Sequence, residues 1–105
     1  MTLANFQGQK FFKHAATCGL TGEQLRVLCF MMSREADGSI TVFQKGIADA
    51  LGLAESNVSR SIKALIEAGL IQRRPGELWD GSQRKYVEGV YFEVPRKWDI
   101  KNSKV

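Results

Sequence analysis

A chain of 105 residues, 44% hydrophobic and 25% charged, is long enough for one globular domain and too apolar for a disordered one. It has one histidine and two cysteines, no run of about 18 apolar residues, and no basic-then-apolar leader over Met1 to Lys13; little is left for a catalytic or metal site, a disulfide framework, a membrane span or a secretory signal. The formal net charge of +4 is unevenly placed: residues 1–59 set five Lys and Arg against five acids, residues 60–105 ten against six, so the excess that suits a polyanion lies in the C-terminal part.

The first segment, Ala4 to Thr17, reads as a helix with Phe12, Ala15 and Ala16 on one face and Phe11 beside it, stopped at Gly19. His14 is expected on its surface, and Cys18 has no base partner that would give it chemistry. Thr21 and Gln24 have the spacing of a capping box, and Leu25, Leu28, Cys29 and Met32 follow at helical spacing. Cys29 is therefore expected in the core rather than as a redox switch. Asp37-Gly38 is a turn that ends this element, and Ser39 to Val42 is a candidate short strand.

A third helix is expected from Val42 or Phe43 to Leu51, with Thr41 and Gln44 as its capping box and Ile47, Leu51 and Leu53 on its buried side. Gly52 fits the left-handed residue that stops it. A fourth helix runs from Glu55 to Ala68, because Val58, Ile62, Leu65 and Ile66 form one apolar stripe, and Gly69 ends it. The period then changes to two. A strand is predicted from Leu70 to Pro75, a polar turn at Asp80-Gly81, and a strand from Lys85 to Val94 with Val90, Phe92 and Val94 on one face and a bulge at Gly89.

Two short helices around a glycine-centred turn, followed by a hairpin, define a winged helix-turn-helix, an α+β fold of four helices and a β-hairpin wing. Once the core positions of the second helix are removed, Ser56, Asn57, Ser59, Arg60, Lys63 and Glu67 remain outside. The first five form a stripe able to read a major groove, where Arg pairs with guanine and Asn with adenine through two bonds each. Arg73, Arg74, Arg84 and Lys85 flank the hairpin turn and suit phosphates. Trp79, near the tip, is expected to pack across its own hairpin, with a DNA sugar or a partner as the alternative.

The run ITVFQKGIADALGLAESNVSRSIKALIEAGLIQRR, Ile40 to Arg74, resembles the winged-helix core of MarR-type regulators and the DNA-binding domain of phage replication protein O and of plasmid replication initiators. The resemblance spans Leu20 to Trp98 and implies that Asn57, Ser59 and Arg60 lie at the groove-facing start of a recognition helix, with Gln44 and Lys45 near a phosphate. The chain departs from that pattern at Ala54, where Ser or Thr caps the helix, and at Gly46, where a helix former is usual.

The expected organisation is an N-terminal helix over residues 1–20, a DNA-binding domain over 21–98 and a loose tail over 99–105. Phe6, Phe11 and Phe12, with the Trp98 region, are expected to form a homodimer contact. The expected function is sequence-specific binding of double-stranded DNA by a cytoplasmic, prokaryotic protein of plasmid or phage type. It would act as a non-enzymatic repressor that occludes a promoter, without cofactor or evident small-molecule ligand. Replication or partition on a repeat array is the alternative, and protein–protein contact a third reading.

Overall fold

The computed structural model describes residues 7–98. The expected helix start at Ala4, Phe6 and the expected loose tail lie outside them. Among the described residues four helices and four strands follow in chain order: α1 Gly8–Thr17, α2 Gly22–Met32, β1 Glu35–Ala36, β2 Ser39–Ile40, α3 Gln44–Leu51, α4 Glu55–Glu67, β3 Gln72–Asp80 and β4 Lys85–Glu93, closed by a 3-10 turn at Arg96–Trp98. The strands form one antiparallel sheet of order β1-β2-β4-β3. Among the described residues no helix is long and apolar enough to cross a membrane.

The buried pair on α1 is Phe11 and Ala15; Phe12 is 47% exposed and Ala16 is exposed, so the apolar face is turned one residue from the expected one. The cause is tertiary. The Phe11 ring meets the Trp98 ring edge-on at 5.5 Å, which draws that position inward. His14 is not a plain surface residue either, being half-buried and hydrogen-bonded to the end of α4.

The capping box of α2 forms as read: the Gln24 amide donates to the Thr21 hydroxyl at 3.1 Å and the Thr21 amide donates to the Gln24 side chain at 3.0 Å. Its buried residues are Val27, Leu28 and Met31, while Cys29 is exposed, which corrects the core assignment. The helix packs on both α3 and α4, and the face that serves both is centred on Val27 and Met31.

Asp37-Gly38 does not end a helix. Both residues have positive φ and join β1 to β2 as a two-residue hairpin turn whose twist matches its strands. The strand after it stops at Ile40, short of Val42. Thr41 is not a cap: α3 starts at Gln44 with Phe43 in the cap position and no side-chain hydrogen bond there. On α3 the fully buried residues are Ile47 and Ala48, with Leu51 and Leu53 half-buried beside them.

Leu70 and Ile71 are buried in the core ahead of β3 rather than inside it, and β3 continues through Pro75 to Asp80. Proline is tolerated there because β3 is an edge strand, where one amide need not join the ladder. The pairing of β3 with β4 runs without interruption from Gln72 with Glu93 to Asp80 with Lys85, so Gly89 marks no bulge. A Cβ at Gly89 would meet Leu78 Cδ1 at 3.0 Å; the missing side chain makes room for buried Leu78. Val90, expected inside, is 40% exposed; Phe92 and Val94 are buried, and Val94 lies just beyond the strand.

One apolar core joins the parts: Phe11 from α1, Leu28 and Met31 from α2, Ile40 from β2, Ile47 from α3, Val58, Ile62 and Leu65 from α4, then Leu70, Ile71 and Phe92. Burying each aliphatic side chain of this size contributes about 1.5–3 kcal/mol. The architecture is the α+β winged helix-turn-helix expected from the pattern, enlarged by the β1-β2 hairpin.

Candidate nucleic-acid interface

The turn between α3 and α4 begins at Gly52, whose φ of 68° is left-handed and would strain any residue with a Cβ. The Leu53 amide donates to the Ala48 carbonyl at 2.9 Å and Arg26 Nη2 to the Leu51 carbonyl at 3.2 Å, so α2 braces the turn. Ala54 has the extended backbone of a cap residue but supplies no side-chain acceptor, as its identity foretold.

Helix α4 buries Val58, Ser61, Ile62 and Leu65. Ser56, Ser59, Arg60 and Lys63 face outward and are exposed; Asn57 is half-buried and reaches the same face from its edge. Ser56, Arg60 and Lys63 stand four and three residues apart, which stacks them on one side of the helix.

The wing extends this surface. Ser59, Arg60, Lys63, Ile66, Glu67 and Arg73 line one groove between α4 and the base of β3. A second groove, sharing Ser59 and Arg73, adds Gln44, Phe43, Val90 and Phe92. The fold thus brings Gln44, Ser59 and Arg73 together from three elements. The Arg73 guanidinium lies 5.8 Å from the Phe92 ring centre, a contact that holds a cation without neutralising it.

Other expected residues are placed elsewhere. Lys45 borders a separate hollow with Arg34, Thr41, Asp49 and Asp80. Arg74, one residue from Arg73, projects from the other face of β3 because strand side chains alternate. There its Nε donates to Glu93 Oε1 at 2.5 Å, and Gln72 donates to the same oxygen at 2.6 Å. The hydrogen bond from Arg74 holds the Glu93 carboxyl below its ordinary pKa, with Gln72 adding to the effect against partial burial.

Arg84 and Lys85 are exposed at the wing tip. The tip is a four-residue loop shaped by Asp80, whose carboxylate accepts from the Ser82 hydroxyl at 2.7 Å and from the amides of Ser82 and Gln83 at 2.9 and 3.3 Å. The Ser82 hydroxyl bond comes first among the causes that lower the Asp80 pKa. Arg84 itself has a φ of 53°.

Sequence reasoning missed what lies between base and tip. Glu77 pairs directly with Glu88 across the strands, on the face that carries Arg73. Trp79 pairs with Tyr86 beside them, rings 5.2 Å apart, so the tryptophan does pack across its hairpin while staying 54% exposed. The wing is cationic at its two ends and acidic in its middle. Only the register could have revealed this, since the two glutamates stand eleven positions apart in the chain.

A model of the MarR family matches residues 19–78 of the chain. Among solved structures, S. aureus MepR bound to ethidium bromide is 24% identical with a TM-score of 0.51, the alignment covering 91% of this chain and 61% of that one. The S. aureus MepR–DNA complex is 22% identical with a TM-score of 0.52, covering 90% of this chain and 67% of that one. At that identity the likeness is one of fold, and this chain spans 61% of the first MepR chain's length. No curated protein matches.

Proposed function

The chain belongs to the MarR family, a family of DNA-binding transcription regulators rather than enzymes, and we propose that it binds double-stranded DNA sequence-specifically and represses transcription by occluding a promoter. The observation that carries this reading is the outward stripe of α4, Ser56, Ser59, Arg60 and Lys63, running without a break into the groove that holds Arg73. A helix with short polar residues and two cations on one side suits the major groove, which is wide enough to admit it. Asn57 joins from the helix edge. The backbone strand that would pass between helix and wing meets Gln44, Ser59 and Arg73, and Arg84 and Lys85 reach a neighbouring phosphate from the tip. Lys45 supports the same strand from the first turn of α3. Arg74 has no part in this contact, because Glu93 holds it on the far side of the wing.

The protein acts in this reading as a homodimer on a palindromic site, each copy reading a half-site about 34–36 Å from the other. We assign the contact between copies to α1 and the Trp98 region; Phe12 there is 47% exposed, and its ring meets that of Phe11 edge-on at 5.0 Å. The setting is the cytoplasm of a plasmid- or phage-bearing cell.

Selection of bound fragments from random duplexes tests the proposal. The expected product is one palindromic motif. Failure to retain any duplex at low salt overturns it, and recovery of tandem repeats instead of a palindrome moves the role to replication or partition.

A further inference from the structure

The C-terminal end of α4 closes in a Schellman pattern. Gly69, with φ of 76°, donates its amide to the Ile66 carbonyl at 3.0 Å, and Leu70 donates to the Leu65 carbonyl at 3.1 Å. These bonds leave the carbonyls of Ala68 and Gly69 pointing outward. Both are taken by side chains from other parts of the chain. His14 Nε2 on α1 lies 2.7 Å from the Ala68 oxygen, and Trp98 Nε1 in the 3-10 turn donates to the Gly69 oxygen at 2.9 Å. A carbonyl only accepts, so Nε2 of His14 carries the proton.

The two donors are fixed to each other. The His14 and Trp98 rings are 5.6 Å apart, and the Trp98 carbonyl accepts from the Gln7 amide at 2.7 Å, which ties the 3-10 turn to the start of α1. Phe11 locks the other side of the indole. Helix α4 has no comparable restraint at its beginning, where Ala54 supplies no cap. Along its length it is held by apolar contacts through Val58, Ile62 and Leu65, which resist separation but have little directionality. The directional bonds to α4 from outside the helix-turn-helix lie at its far end. His14 and Trp98 both fall outside residues 19–78, the segment that matches the family model.

We infer that His14 and Trp98 are positioning residues for the recognition helix: by hydrogen-bonding the Ala68 and Gly69 carbonyls they set the angle at which Ser56, Ser59, Arg60 and Lys63 are presented. The inference rests on the reading of α4 as a DNA-contacting helix. A tilted helix misplaces donors at its other end, so base discrimination suffers, whereas phosphate contacts tolerate the shift. A merely structural role would act otherwise, because lost folded protein lowers the apparent affinity for every duplex by the same factor.

The test compares two affinities: for the best-bound duplex selected by the wild-type protein, and for a scrambled duplex of equal length. Trp98→Phe keeps the aromatic packing on Phe11 and removes the donor; His14→Leu keeps bulk and removes the donor. Each variant is expected to lose about ten-fold in preference for the selected duplex, the scale of one mismatched base pair. Scrambled-duplex affinity and salt slope stay at the wild-type level, and His14→Gln, which retains a donor of similar reach, restores the preference. Equal losses on both duplexes, or a preference kept by Trp98→Phe, overturn the positioning role. Should His14→Leu fail to fold, Trp98→Phe alone decides. Absence of preference in the wild-type protein instead removes the DNA-reading proposal, and the two failures are told apart by that first measurement.

Discussion

Arg73 and Arg74 are adjacent in the chain and project from opposite faces of the wing, Arg73 over the Phe92 ring in the groove beside α4 and Arg74 against the Glu93 carboxylate. A cation stacked on a ring keeps its charge available, whereas one bonded to a carboxylate has spent it. Arg73→Ala is therefore expected to weaken binding of all duplexes about equally and to reduce the salt slope by about one, while Arg74→Ala leaves both unchanged. Titrations of the two variants across a salt series check this, and a flattened slope for Arg74→Ala would reverse the assignment.

Arg60 stands at the centre of the outward stripe of α4. Arg60→Ala is expected to cost about 1–3 kcal/mol on the selected duplex and to relax preference at one position of the site. Repeating the selection with the variant reads this directly. An unchanged motif would mean that Arg60 touches phosphate rather than a base.

Ala54 holds the backbone of a cap residue, with φ −72° and ψ 145°, but lacks the acceptor. Ala54→Ser is expected to raise stability by about 1 kcal/mol, because a hydroxyl there accepts from the first-turn amides of α4. Urea unfolding measures it. A loss of stability would show that the first turn does not present its amides to that position.

Gly52 has open space around the place where a Cβ would stand. The cost of Gly52→Ala is then a backbone cost, about 1–2 kcal/mol for a left-handed alanine. Gly52→Asn is expected to cost less, since asparagine tolerates that region better. Equal losses for the two variants in thermal unfolding would count against this account.

The Glu93 carboxyl is held below its ordinary pKa by the bond from Arg74, and Asp80 is held low by Ser82. A carboxyl lowered in the folded state contributes stability above its unfolded value, about 4, and loses it as the pH falls through the folded value. The melting temperature is expected to drop on acidification below about pH 4, and Glu93→Gln should make that drop shallower. A profile with the same acid slope in the variant would assign the loss to other groups.

Much of the fold was legible because it depends on neighbours in the chain. The Thr21–Gln24 box, the Gly52 and Gly69 stops and the stripe of Val58, Ile62 and Leu65 are set within a few residues, so sequence spacing determines them. The outward side of α4 followed by subtraction from that stripe. What failed was whatever needed a partner far along the chain. Cys29 and Phe12 carry apolar side chains at plausible helical spacing, but the phase of each helix is set by what packs on it: α3 and α4 on α2, and Trp98 on α1. Thr41 has capping spacing yet lies before the residue at which α3 begins.

The wing shows the same division. Period-two alternation puts Arg73 and Arg74 on different faces, but only the register with β4 says that one face holds Phe92 and the other Glu93, or that Glu77 meets Glu88. His14 and Trp98 stand 84 positions apart in the numbered chain and converge on two carbonyls at the end of one helix. Sequence alone determined which segments are helical, where α1, α3 and α4 stop and which polar residues α4 turns outward, because backbone hydrogen bonds in helices and turns close over three to five residues. Tertiary structure decided which cations remain free and what anchors the recognition helix. Those outcomes depend on side chains meeting across long loops, a geometry that no local pattern encodes.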